Sequence, residues 1–203
     1  MTNRVAAAVD RALDDRQRGA TEEVERILAA AVRVMERVAP EAPRVSDIVA
    51  EARSSNKAFY RYFAGKDEVI LAVMERGVGI VVSYLQHQMA KESQPRDKIA
   101  RWIEGTLAQV AEPDLIRKSR AAAGQMSART NWRTGDEDMM RPLRDLLVDP
   151  VAALGSSDVE RDVQAVFCCT AATMRRYMGS ADRPEPDDIT HVVRFCLNGL
   201  GVN

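Results

Sequence analysis

Apolar residues recur along this chain at the three- and four-residue spacing of a helix, and short polar or proline-bearing breaks divide the recurrence into segments. In the first, Thr21 is placed to cap a helix whose buried stripe is Val24, Ile27, Leu28, Ala31, Met35 and Val38, and Pro40 and Pro43 follow it. Val45, Ile48, Val49 and Ala52 then give a short helix, with Asp47 and Glu51 off the stripe. After Arg53-Ser54-Ser55 comes a second short helix in which Phe59 and Phe63, four apart, face inward. Either serine can accept a hydrogen bond from the free N–H groups that open it.

The next stretch, from Lys66, keeps helical phase through Ile70, Val73, Met74, Val78, Val81 and Leu85. Gly77 and Gly79 each weaken it by up to ~1 kcal/mol relative to Ala, which predicts a bend or two helices. Gln94-Pro95 ends it, and Ile99, Trp102, Ile103, Thr106, Leu107 and Val110 then give a further helix that stops at Glu112-Pro113. Asp114 is placed to cap the next, to about Arg129. Residues 130–136 read as a loop, and 139–154 as one helix with Pro142 near its first turn. No segment alternates as a strand does, so the fold class predicted is all-α.

Two helices close the chain. Val163, Val166, Phe167, Thr170, Ala171, Met174 and Met178 line one; Ile189, Val192, Val193, Cys196, Leu197 and Leu200 line the other. Each also carries apolar residues off its main stripe, Phe195 on the last and Cys168, Cys169, Ala172 and Tyr177 on the one before. A helix apolar on more than one side buries more than one side, and a second copy of the chain is the simplest partner; a larger core within one chain is the alternative.

Composition limits the function classes. Across 203 residues with a formal net charge of -1, there is no apolar run long enough to span a bilayer, and Asp10, Arg11, Asp14 and Asp15 interrupt the N-terminal segment where a signal peptide needs a continuous apolar core. A cytoplasmic protein is expected. Cys168, Cys169 and Cys196 form neither a disulfide framework nor a zinc spacing, and His87 and His191 stand alone, so no metal or cofactor is expected. No nucleophile elbow, zinc-protease motif or phosphate-binding glycine loop is present, and nothing supports catalysis.

Charge is nevertheless unevenly placed. Between Arg53 and Lys66 the cations Arg53, Lys57, Arg61 and Lys66 meet no acid, whereas residues 135–203 carry 12 acidic and 7 basic side chains. A polyanion would be drawn to the first segment and kept off the second. Two short helices around a three-residue break, the second rich in donors, form a helix-turn-helix. Asn56, Lys57 and Arg61 carry the donors that read base edges, and Ser54 and Ser55 could clamp phosphates. An alternative is a helical small-molecule-binding protein whose helix-turn-helix is only packing.

The run SNKAFYRYFAGKDEVILAV resembles the signature of the tetracycline-repressor (TetR) family of bacterial transcriptional regulators, sharply over residues 21–75. Two positions depart from that pattern. Arg53 stands where the family usually has Gly, and its Cβ costs roughly 1 kcal/mol if a left-handed backbone is kept there. Pro43-Arg44 stands where the family favours Thr. The resemblance implies that Asn56, Lys57, Ala58, Tyr60 and Arg61 face the groove, that Tyr62 and Lys66 touch phosphate, and that Arg44 and Ser46 reach the backbone or a nearby base. It implies a homodimer on a palindromic double-stranded operator, formed through the last two helices, with Val163, Phe167, Ala171, Met178, Ile189, Val193, Cys196 and Leu200 at the interface. It also implies a pocket for a predominantly apolar effector, for which Trp102, Met126, Trp132, Met139, Met140, Phe167, Met174 and Tyr177 are the candidate lining residues. The expected organisation is a flexible N-terminal arm over 1–20, a helix-turn-helix domain over 21–67 and a regulatory and dimerisation domain over 68–203. The arm's Arg4, Arg11, Arg16 and Arg18 are nearly cancelled by Asp10, Asp14 and Asp15, so a DNA role for it is doubtful on charge.

Overall fold

A computed structural model describes residues 4–39, 41–113, 115 and 133–201. These residues are overwhelmingly helical, with no strand among them, in two compact units, Met1–Val73 and Met74–Asn203.

The first unit is built on α1 (Arg4–Val38), α2 (Val45–Glu51), α3 (Asn56–Tyr62) and the start of α4 (Lys66–Met89). Ile27, Ala30, Ala31 and Val34 of α1 are fully buried with Ile48, Phe59 and Val69. The rings of Phe59 and Phe63 lie 5.7 Å apart, as their four-residue spacing requires. A surface clamp joins α1 to α2. Glu51 accepts from Arg33 Nε at 2.7 Å and from Arg37 Nη1 at 3.1 Å, and the two guanidinium groups hold its carboxyl below the usual carboxylate range. Glu51 ends α2, where the helix dipole disfavours an acid, so the two arginines offset a local cost as well as tying the helices together.

The helix does not begin at Thr21. It runs back to Arg4, and Thr21 Oγ1 donates to the Gln17 carbonyl at 2.9 Å, the back-bond of a hydroxyl inside a helix rather than a cap. Nothing in RVAAAVDRALDDRQRGA breaks a helix outright, its alanines favour one, and Asp15 and Arg18 pair one turn apart. The segment expected as a flexible arm is therefore an exposed extension of α1.

The second unit contains the rest of α4, then α5 (Pro95–Ala111), α6 (Arg133–Asp145), α7 (Val148–Ala153), α8 (Val159–Met178) and α9 (Pro186–Gly199). α5 is its centre, packing on α7, α8 and α9. Ile99, Trp102, Ile103 and Leu107 on α5 are buried with Leu85, Leu147, Val151, Val163, Val166 and Leu197. Trp102 satisfies its indole N–H by donating to the Leu143 carbonyl at 2.9 Å. At Gly105 a Cβ would sit 2.4 Å from Leu85 Cδ2, so the missing side chain is what lets α5 approach α4.

Two expectations are corrected here. α4 is continuous through Gly77 and Gly79, where a Cβ would meet nothing within 4 Å; packing of Met74, Leu85 and Met89 outweighs the propensity cost. The helix expected over 139–154 is two helices, and the first begins within the expected loop, at Arg133. Pro150 explains the division: it has no N–H for the carbonyl four residues back, so a new helix starts at Val148 with the proline in its first turn. The helix expected to start at Asp114 lies outside the described residues.

α8 and α9 are firmly capped. Asp158 accepts from the Arg161 N–H at 3.2 Å. At α9 a capping box pairs Glu185 and Asp188, with Pro186 in the first turn. The stripes expected to form a dimer interface also serve the unit's own core. Val163 and Cys196 are buried in the unit's own core, Phe167, Ile189, Val193 and Leu200 pack against it, and Met178 packs against Val110 and Tyr177. Periodicity shows that a stripe is buried but not which neighbour covers it. What α8 and α9 leave exposed is the other face, with Cys168, Ala172, His191 and Phe195, the last 64% exposed. Burial pushes the Cys196 thiol up to about 12, which leaves it a neutral core group.

Candidate nucleic-acid interface

The turn between α2 and α3 carries the signature of the motif. Ala52 N–H bonds to the Ile48 carbonyl at 2.8 Å and closes α2; Arg53 then takes φ 50°, the only positive φ among the described non-glycine residues. Arg53 has thus kept the left-handed backbone that the sequence pattern leaves to Gly, at roughly 1 kcal/mol. Ser55 is the N-cap of α3: its Oγ accepts from the Ala58 N–H at 3.1 Å, and its own O–H stays available to donate.

From this start α3 divides its residues by face. Phe59 is fully buried, and Ala58 is 7% exposed, so Ala58, expected to face the groove, is turned inward. Asn56, Lys57, Tyr60 and Arg61 are exposed, Tyr60 by 58%, with its ring edge-on to Phe59 at 5.3 Å. The Arg61 guanidinium lies 5.7 Å from the Tyr62 ring centroid. Lys66 is exposed at the first residue of α4. Arg44, the N-cap of α2, has extended backbone and makes no side-chain cap, and exposed Ser46 donates from Oγ to Asp47 Oδ1 at 3.4 Å. Both departures from the family pattern therefore show in the geometry, Arg53 as strain and Arg44 as an uncapped start.

One neighbour of these residues was not foreseen. Glu23 of α1 reaches the segment that contains no acid of its own: it accepts from Tyr62 OH at 2.9 Å and from Ser54 Oγ at 3.5 Å, and lies 3.8 Å from Arg61 Nη1. Its position on α1 gave a signal. Glu23 is one turn before Ile27, in phase with the buried stripe, where a carboxylate requires donors.

The residues expected to line an effector site lie in the second unit. Trp102 is fully buried, its ring 6.2 Å from that of Phe167, and Met139, Met140 and Met174 are partly buried. Tyr177 is buried; desolvation first, then a hydrogen bond with Asp188, raises its pKa above the ordinary phenol value. Met126 and Trp132 lie outside the described residues. A groove of about 310 Å³ between α8 and α9 is lined by Cys169, Thr173, Arg176, Tyr177, Asp188, His191, Val192 and Phe195. No His/Cys/Asp/Glu cluster suited to a metal ion occurs among the described residues, and none of their helices is long and apolar enough to cross a membrane.

Comparison with known proteins agrees with this geometry. Residues 27–73 match the family model described as "Bacterial regulatory proteins, tetR family". No curated relative matches the chain in sequence. Among solved structures, the fatty acid degradation regulator FadR from Bacillus halodurans superposes with a TM-score of 0.72 at 18% identity, covering 89% of this chain and 97% of that one. FadR from Bacillus subtilis, solved in complex with stearoyl-CoA, gives a TM-score of 0.67 at 16% identity over 87% and 96% of the two chains. A TetR-like transcriptional regulator from Rhodococcus sp. RHA1 gives 0.62 at 21% identity over 89% and 97%. At such identities the likeness is one of fold. The likeness in sequence is confined to residues 27–73, which match the tetR family's DNA-binding helix-turn-helix and lie in the first unit.

Proposed function

We propose that this protein is a cytoplasmic transcriptional repressor that binds a near-palindromic operator as a homodimer and is released by a predominantly apolar small molecule. The observation that carries the DNA reading is the face of α3. Asn56, Lys57, Tyr60 and Arg61 are exposed together on a helix capped by Ser55 and anchored by buried Phe59. Such a helix enters a major groove, and two of them related by a two-fold axis contact half-sites about one turn, ~34 Å, or more apart. In support of the homodimer, the outward face of α8 and α9 leaves Phe195 64% exposed beside small Ala172 and Cys168.

The test starts with duplexes selected from a randomised pool by the purified protein. Tyr60→Ala and Arg61→Ala should each weaken binding to the selected duplex by roughly 1–3 kcal/mol with helicity retained. Unchanged affinity in both variants at one fixed salt concentration removes α3 as the reading helix. A solution mass of one chain at micromolar concentration removes the dimer.

For the effector, support comes from the adaptable methionines Met140 and Met174, packed on the core that holds Trp102, and from the stearoyl-CoA bound by the Bacillus subtilis regulator of the same fold. Turning a 1:99 balance between DNA-competent and DNA-incompetent arrangements into 99:1 requires ~5.5 kcal/mol of differential binding. A second reading, a DNA-binding regulator without an effector, is favoured by Trp102 itself, fully buried with its N–H already satisfied. Stearoyl-CoA and a panel of apolar compounds, screened by thermal shift and by release of the selected duplex, separate the two. A ligand that raises the transition temperature and releases DNA supports the first, and none doing so supports the second.

A further inference from the structure

The sequence gives α3 a surround free of acids, and the fold puts one back. Glu23 sits among the residues that would face DNA, its side chain only 22% exposed and within 3.8 Å of Arg61. A carboxylate in that position has two physical consequences. Sequence-independent binding comes from cations that neutralise phosphates and release counterions, and an anion beside one of those cations subtracts from it. The second consequence concerns Tyr62. A phenol has a single O–H, a phosphate oxygen can only accept, and that one proton already goes to Glu23 at 2.9 Å. Tyr62 therefore cannot donate to phosphate while it holds Glu23. Arg61, with five N–H donors, can keep its partner and still present the others to a base edge.

We propose that Glu23 is a specificity-determining residue of the DNA-binding unit: it orients Arg61 and Tyr62 for one mode of contact and lowers the attraction of α3 for phosphate in general. Its removal would raise binding to arbitrary DNA more than binding to the cognate site. The inference rests on the reading of α3 as the DNA-contacting helix.

The experiment compares wild type, Glu23→Gln and Tyr62→Phe on two duplexes across a salt series: one selected from a randomised pool by the wild type, and one of the same length with scrambled sequence. Glu23→Gln keeps an acceptor for Tyr62 and removes only the charge. We expect its affinity for the scrambled duplex to rise roughly threefold at ~0.1 M salt, with the slope of log K against log salt steeper by up to about 0.9. Affinity for the selected duplex should rise less, so the ratio of the two falls. Tyr62→Phe keeps the charge and should leave scrambled-duplex binding unchanged. An unaltered slope and ratio in Glu23→Gln at wild-type thermal stability overturns the proposal, as does an equal loss on both duplexes. Weaker scrambled-duplex binding by Tyr62→Phe also overturns it, since Tyr62 would then be donating to phosphate. A wild type that selects no duplex overturns the DNA reading instead, and that result is distinct from all of these.

Discussion

Arg53 allows strain and charge to be separated by substitution. Its φ of 50° places an exposed side chain in the region where a Cβ crowds the following carbonyl, at a cost of roughly 1 kcal/mol. Arg53→Gly removes both the strain and the cation; Arg53→Ala removes the cation but keeps the Cβ. Glycine also gives the unfolded chain more freedom, which offsets part of the relief, so the expected gain of Arg53→Gly over Arg53→Ala is between about 0.5 and 1 kcal/mol. The amides that report it are those closing the motif, Ala52 bonded to Ile48 and Phe63 bonded to Phe59 at 3.0 Å. Native-state hydrogen exchange at these N–H groups should be slower in Arg53→Gly than in Arg53→Ala by about two- to fivefold, the factor that such an energy represents. Both variants should lose the same small amount of DNA affinity, since both lose one charge, and their salt slopes should match each other. Exchange in Arg53→Gly as fast as in Arg53→Ala, or faster, would refute the assignment of strain to this turn.

Two further outcomes follow from contacts within single units. The Arg33–Glu51–Arg37 clamp holds the Glu51 carboxyl below 4.5, so its contribution is present above pH 4.5 and is lost as pH falls through the lowered folded-state value. The stability penalty of Glu51→Gln, measured by urea denaturation, should therefore be present at pH 6 and vanish near pH 3; a penalty independent of pH would show that the carboxylate's charge is not what joins α1 to α2. Trp102→Phe should destabilise the second unit by roughly 1–3 kcal/mol, since it leaves the buried Leu143 carbonyl without its donor and opens a void beside Phe167. A chemical-denaturation midpoint equal to wild type would mean that the indole N–H bond carries no net stability.

What the sequence disclosed and what it withheld differ by range. The limits of α2 and α3 and the inward aim of Phe59 and Phe63 depend on neighbours within four residues, and spacing alone shows them; it narrows the cap to Ser54 or Ser55, and the geometry selects Ser55. Even the strain at Arg53 was legible, because a required backbone conformation and an unsuitable residue met at one position. Glu23 showed only as a carboxylate in phase with the buried stripe of α1; its partners Ser54 and Tyr62, 31 and 39 residues away, did not show. The start of α1 was misplaced for a local reason: a threonine hydroxyl can cap a helix or bond back to a carbonyl within one, and the residues around Thr21 suit both.

The inward stripes of α8 and α9 show a third kind of limit. Val163 and Cys196 have the periodicity of an interface and are covered by their own unit, because α5 offers both helices an apolar partner within the same chain. A stripe can be assigned to association only after the chain's own helices have been placed, and the face most exposed after that is the opposite one. There Phe195, four residues past His191, stands beside the groove floored by Val192 and Tyr177. An aromatic ring 64% exposed next to a concave, partly apolar surface is an arrangement that two copies related by a two-fold axis can satisfy reciprocally, each ring covering the other's groove. The residues off the main stripe, which weaken a simple helical reading of α8 and α9, are for that reason the ones on which association should be tested.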